Sequence, residues 1–160
     1  GDKNNPPLRL DFINMLLNFD DEMPSGDDQI NYLYCKSQRT KHIHLNEYKT
    51  LKKYGPKKIK LSPYLNRMIN VWVKVRKQFP PIANGSVLFS RSLNPFTEST
   101  CCVYVAEAFK PTGKHITANL IRHIYISDVT RDLPYEEKKK ISKDMCHNID
   151  MQTQYIKNDY

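Results

Sequence analysis

The periodicity of the chain turns from strand-like to helical at Ser62-Pro63, and that change limits the folds open to it. Upstream, short segments rich in aromatic and β-branched residues alternate in polarity. They run from Asn31 to Lys36 and from His42 to Tyr48, where Ile43 and Leu45 interleave with His42 and His44. A polar–apolar period of two marks a half-buried strand. A third such segment, Lys58 to Leu61, follows Tyr54-Gly55-Pro56, whose glycine and proline turn the chain. Downstream, Tyr64, Leu65, Met68, Ile69, Trp72 and Val75 recur at three- and four-residue intervals before Pro80-Pro81. Further helical stretches run from Thr97 to Phe109, Thr117 to Arg131, Pro134 to Met145 and Asp150 to Ile156. Strands in one half and helices in the other predict an α+β domain, mostly helical, with a small antiparallel three-stranded sheet.

Ahead of the strands, Leu8, Leu10, Phe12, Ile13, Leu16 and Leu17 are spaced as on a helix, which predicts a short one from about Pro7. The acidic stretch Asp20 to Asp28, broken by Pro24 and Gly26, reads as a loop. In the stretch from Thr117, residues Leu120, Ile121, Ile124, Tyr125 and Val129 form an apolar stripe. Asn119 and Arg122, three apart, then share a flanking face and can reach one ligand.

At 160 residues the chain is one domain, and 25 Lys and Arg against 17 Asp and Glu give it a charge of +8, which suits a polyanionic partner. Cys35, Cys101, Cys102 and Cys146 contain no C-x-x-C pair, so reduced thiols and an intracellular setting are expected. His42 and His44 with Cys35, or Cys146 with His147, lack the second paired set of a zinc site, so no metal is expected. No apolar run reaches the roughly 18 residues of a membrane span, and the polar N-terminus is not a secretory signal.

Four segments carry chemistry in a telling order. They are Pro6-Pro7-Leu8-Arg9-Leu10-Asp11-Phe12; Asn46-Glu47-Tyr48-Lys49-Thr50-Leu51-Lys52-Lys53-Tyr54-Gly55; His115-Ile116-Thr117-Ala118-Asn119-Leu120-Ile121-Arg122-His123; and Met145-Cys146-His147, with Tyr155 eight residues on. By order and spacing, over almost the whole chain, they resemble the tyrosine recombinase (phage integrase) family, in particular the integrase-like enzymes of large DNA viruses and their mobile elements. The resemblance implies that Arg9 is the first active-site arginine and that Lys49 is the hairpin lysine, with Lys52 and Lys53 as rivals. Arg122 and His123 fit the central arginine–histidine signature, and Asn119 stands where the family has His or Lys. An amide there donates a hydrogen bond but cannot titrate. His147 fits the final histidine, although Cys146 replaces the usual glycine. Tyr155 is the nucleophile, with Tyr160 the rival.

The chemistry asks for these residue types. Arginine forks stabilise the charge growing on a phosphodiester's non-bridging oxygens, the role implied for Arg9 and Arg122. A phenol of unperturbed pKa about 10 attacks once its proton is removed or its anion stabilised. The leaving 5′-oxygen needs a proton, which Lys49 is placed to give, while His147 donates to a phosphate oxygen and His123 supports the arginine from behind.

By resemblance, then, the chain cuts and rejoins DNA through a 3′-phosphotyrosine, without a cofactor. Lys52, Lys53, Lys57, Lys58 and Lys60 hold backbone phosphates, and copies associate on double-stranded DNA as a dimer or tetramer. Two alternatives stay open: an inactive DNA-binding relative, and a type IB topoisomerase or telomere resolvase with the same chemistry. Family members carry an N-terminal DNA-binding domain before the first arginine, so residues 1–160 are expected to be a single catalytic domain from a longer protein. A viral origin would place it in the host nucleus or in a cytoplasmic viral factory.

Overall fold

A computed structural model describes residues 5–19, 29–35, 39–78 and 85–150. Four short strands, β1 (Leu16–Asn18), β2 (Tyr32–Tyr34), β3 (His42–Leu45) and β4 (Lys57–Lys60), form one sheet in that order. Five helices accompany them: α1 (Leu51–Tyr54) within the β3–β4 connection, then α2 (Pro63–Arg76), α3 (Glu98–Phe109), α4 (Ala118–Thr130) and α5 (Tyr135–Asp144). The α+β class is as the periodicity predicts.

The sheet departs from expectation in having a fourth strand, paired parallel to β2, so that it is mixed rather than antiparallel. That strand comes from the segment whose spacing predicts a helix. A single 3-10 turn, Leu10–Phe12, forms instead, and the backbone beyond it finds partners outside itself. Leu16 N–H donates to the Asn31 carbonyl at 2.9 Å, Val87 N–H to the Met15 carbonyl at 2.9 Å and Cys35 N–H to the Asn18 carbonyl at 2.7 Å. Helical i to i−4 bonds cannot coexist with this ladder, and the tertiary pairing overrides the local spacing.

Cross-strand partners lie on one side of a sheet. The register therefore puts Leu17, Leu33, Ile43 and Ile59 on one face and Asn18, Tyr32, Tyr34, His42, His44, Lys58 and Lys60 on the other. The apolar face packs around Met15, Leu33, Cys35, Leu61 and Val87, against Leu65, Ile69, Trp72 and Val73 of α2. A second cluster, Leu45, Tyr48 and Cys146, joins the sheet to the chain just beyond α5, with Leu8, Leu51 and Tyr54 around it. Trp72 Nε1–H donates to the Val87 carbonyl at 2.9 Å, fixing α2 to the strand-like segment beyond it.

Two helices bury a different face from the one their apolar residues suggest. On α2, Tyr64, Met68 and Val71 are exposed, and the core side is carried by Leu65, Ile69 and Trp72. On α4, Leu120 and Ile124 are exposed, whereas Arg122, Ile126, Ser127 and Thr130 are buried. The helix is thus rotated so that its arginine, not its stripe of leucine and isoleucine, enters the interior. Of the Asp150 to Ile156 helix, residues 151–156 lie outside the described residues. No helix among the described residues is long and apolar enough to cross a membrane.

Capping sets where the long helices begin. Ser62 Oγ accepts from Leu65 N–H with Pro63 at the first helical position, Thr97 Oγ1 accepts from Thr100 N–H, and Thr117 Oγ1 accepts from Leu120 N–H. Each satisfies a donor the first turn leaves without a helical partner. Thr117 fixes the start of the helix that delivers Arg122. Thr117→Ala is expected to lower stability by about 1 kcal/mol and Thr117→Ser by much less, read as a shift of the urea midpoint at unchanged slope.

Candidate active site

Arg122 lies in the middle of α4 and is 4 % exposed. Its guanidinium donates through Nη1 to the Pro7 carbonyl and through Nη2 to the Met145 carbonyl at 3.3 Å, and Nη2 stands 3.5 Å from His147 Nδ1. A guanidinium only donates, so Nδ1 faces it as the acceptor and the neutral imidazole carries its hydrogen on Nε2. One side chain thereby holds together the segment leading to Arg9 and the turn bearing His147, which are far apart in sequence.

The His147 turn is built for this. Cys146 adopts a left-handed conformation, φ 55°, where the chain leaves α5. That conformation is the one a glycine would take without strain. His147 N–H donates back to the Ser142 carbonyl at 3.1 Å, and the His147 carbonyl accepts from Ser142 Oγ at 2.7 Å and from Tyr54 Oη at 3.0 Å. Thr50 Oγ1 donates to the Cys146 carbonyl at 3.0 Å, and the Lys57 ammonium donates to the Lys143 carbonyl. The β3–β4 connection, which carries Lys49, is therefore tied directly to the His147 turn. Lys57, one of the lysines expected to hold phosphate, is already engaged at the C-terminus of α5, where a cation complements the helix dipole.

Lys49 itself is exposed, in the turn between β3 and α1. It and Arg9 line one cleft of about 540 Å³, together with Asp11, Asn31, Glu47 and Glu98. Asp11 joins this cleft to the buried arginine. Burial raises its carboxyl above the ordinary range, while the charges of Arg9 and Arg122 and the backbone N–H groups of Asp11 and Lys49 pull the other way. Burial, and then the positive charges of Arg122 and Arg9, push His147 down to about 4. The imidazole is consequently neutral at physiological pH and adds no charge beside the two arginines.

Asn31 sets the width of the cleft. It is buried, its Nδ2 donates to the Asp11 carbonyl at 2.9 Å and the Glu47 carbonyl at 2.7 Å, and its Oδ1 accepts from Asn46 N–H at 2.8 Å and Glu47 N–H at 2.9 Å. All its hydrogen-bonding capacity goes into joining the Arg9 segment to the Lys49 turn. Tyr48, also on the cleft, is no nucleophile. Its phenol donates to the Gly55 carbonyl, and burial together with the Cys146 thiol pushes it up to about 12.

The described structure thus places Arg9 and Lys49 on one cleft, and Arg122 against His147 within reach of the charge of Arg9. It sets two other expected residues apart: Asn119 is exposed and bonded to His123 one turn on, Nδ2 to Nε2 3.2 Å. Lys52, Lys53, Lys58 and Lys60 are all exposed, the first two on α1 beside Lys49 and the others on β4. Tyr155 and Tyr160 lie outside the described residues. Asp11 and Asn31 went unnoticed in the sequence as site residues. The signal for Asp11 was its place two residues after Arg9; nothing local distinguishes Asn31 from any asparagine at a strand start. Among the described residues, no group of three or more His, Cys, Asp or Glu side chains is placed to hold a metal ion.

No protein-family model and no curated protein matches the sequence. Solved structures do match the fold. A crystal structure of XerA recombinase superposes with a TM-score of 0.63 at 15% identity, covering 96% of this chain and 48% of that one. XerH site-specific recombinase bound to its difH substrate before cleavage gives 0.56 at 13% identity, over 91% of this chain and 40% of XerH. The same protein after cleavage of a palindromic difH substrate gives 0.57 at 14% identity, over 94% and 40%. The chain has the fold of a tyrosine recombinase catalytic domain and spans less than half the length of these proteins.

The neutral state of His147 makes stability fall with acid. Above about pH 6.5 the residue is neutral folded and unfolded; below it, only the unfolded chain takes the proton until the folded value near 4 is reached. Across that window the cost reaches roughly 3 kcal/mol. The raised Asp11 carboxyl acts in the opposite sense and is common to wild type and variant. Denaturation of wild type and His147→Gln at successive pH values is expected to show a steeper loss below pH 6.5 in the wild type.

Proposed function

We propose that the chain cleaves and rejoins DNA strands as the catalytic domain of a site-specific recombinase. The observation that supports this reading is that Arg9 and Lys49 line one cleft while the buried Arg122 and the neutral His147 lie close behind Arg9, in a fold shared with XerA and XerH recombinases. A phosphodiester entering the cleft meets Arg9 ahead of the Leu10–Phe12 turn, and reaches Arg122 and His147, buried behind Arg9, once the cleft opens toward them. The guanidinium groups offset the charge that grows on the non-bridging oxygens, and Nε2–H of His147 donates to one of them. Lys49, exposed on its turn, protonates the departing 5′-oxygen. Tyr155 attacks phosphorus as its phenolate, its proton passing to solvent, the P–O5′ bond breaks as the 5′-oxygen takes the proton of Lys49, and the 3′-phosphotyrosine keeps the phosphoester bond for attack by another 5′-hydroxyl.

The exposed lysines 52, 53, 58 and 60 supply contacts to backbone phosphates, with affinity that falls steeply with salt. A second reading, a DNA-binding relative that no longer cuts, is favoured by one observation: Asn119, in the place of an expected proton donor, is exposed and paired with His123.

Suicide substrates decide between the two. Incubation with a nicked duplex is expected to give a denaturation-resistant protein–DNA adduct that is lost in Tyr155→Phe and reduced about 10²–10³-fold in rate in Arg9→Ala. An adduct that persists in Tyr155→Phe but not in Tyr160→Phe reassigns the nucleophile, and no adduct with bound DNA selects the non-cutting relative. Arg9 is the cleaner arginine to test, because removing Arg122 also strips the Pro7 and Met145 carbonyls of their donors.

For Lys49, a substrate with sulfur in place of the leaving 5′-oxygen removes the need for a proton. Lys49→Ala is expected to cleave it at close to the wild-type rate while failing on the oxygen substrate; equal defects on both substrates assign the proton to another group.

A further inference from the structure

The face of the sheet opposite the apolar core sets histidines against lysines at its β3–β4 end, where the side chains reach solvent. The register of β3 against β4 sets His42 opposite Lys60 and His44 opposite Lys58. Lys58 and Lys60 are exposed two residues apart on an edge strand, and a protonated imidazole at either histidine would stand opposite one of them as a like charge, a pairing that weakens a sheet. On the other flank of β3, Tyr34 stacks on His44, with ring centroids 4.2 Å apart.

We propose that this outward face, His42, His44, Lys58 and Lys60 with Tyr34 beside them, is a contact surface for the phosphate backbone of DNA that gains positive charge as it binds. The inference rests on the DNA reading above and adds to it a site outside the cleft. Two lysines alone give a fixed attraction; the two histidines make it adjustable. Both imidazoles are held below their ordinary value. For His42 the causes are burial, then Lys58 and Lys60; for His44 they are burial, then Lys58 and His42. The other groups facing them, Tyr32 and Tyr34 from β2 and Asn18 from β1, carry no charge near neutral pH. Free protein therefore presents two cations here. A row of phosphates laid along the face offsets the lysine charges and sets negative charge beside the imidazoles, which favours their protonation against the burial that disfavours it. Binding and proton uptake are then linked, and affinity rises as pH falls through the histidine range.

Fluorescence anisotropy of a short labelled duplex, at constant salt between about pH 8 and about pH 6, reads this directly. Wild type is expected to gain on the order of tenfold more affinity over that interval than His42→Gln/His44→Gln. Lys58→Ala/Lys60→Ala is expected to flatten the slope of log affinity against log salt by about 1–2. Histidine NMR titration of the wild type needs no variant: saturating duplex is expected to move the His42 and His44 titrations upward. The same pH gain in wild type and in the double histidine variant, with both titrations unmoved by DNA, overturns the proposal. Failure of the wild type to bind duplex at any pH overturns it together with the DNA reading. If binding shows the expected pH response but no covalent adduct forms, this surface stands and the strand-cleavage reading alone falls.

Discussion

The buried guanidinium of Arg122 is the constraint around which the rest of this molecule is arranged. A charge that is 4 % exposed persists only where its donors are satisfied, and here they reach the carbonyls of Pro7 and Met145 and the ring of His147. Deleting it leaves carbonyls in the interior at about 1–3 kcal/mol apiece. The same bonds also decide geometry: they bring the N-terminal segment with Arg9, the middle of α4 and the turn after α5 to one point. The fold and the candidate site are therefore not separable pieces, since the side chain that would meet a phosphate is also the one that joins three parts of the chain.

A second layer of contacts carries the same logic outward. Tyr54 and Thr50 hold the backbone of His147 and Cys146, and Asn31 holds Asp11 to Glu47, so the Lys49 turn is fixed from both ends while Lys49 itself stays exposed. An exposed ammonium on a fixed turn suits a group that delivers a proton to a departing atom. A neutral histidine held against Arg122, within reach of the charge of Arg9, suits one that donates a hydrogen bond without adding charge.

Much of this was legible in the sequence, and the failures have a common physical source. The period-two and period-3.6 patterns identified β2, β3, β4 and α2 to α5 to within a few residues, because the repeat of apolar residues records the geometry of each element even where, as on α4, it misplaces the buried face. Arg9, Lys49, Arg122 and His147 were singled out by their order along the chain; Arg9 and Lys49 share a cleft, and Arg122 and His147 meet close to Arg9. What was missed depends on partners remote in sequence. Leu16 and Leu17 form a strand because β2 and Val87 offer them hydrogen bonds, which no local spacing announces. The rotation of α4 that buries Arg122 and exposes Leu120 and Ile124 follows from carbonyls 23 and 115 residues away. Asn31 is chosen by four backbone groups from two other segments.

The central claim is that Arg9, Arg122 and His147 meet one phosphate, and a crystal structure of the chain with a nicked duplex tests it most directly. The account predicts the scissile phosphate in the cleft, with its non-bridging oxygens about 3 Å from both guanidinium groups and from Nε2 of His147. A duplex lying on the protein with that cleft empty, and with Arg122 contacting nothing but protein, would contradict it.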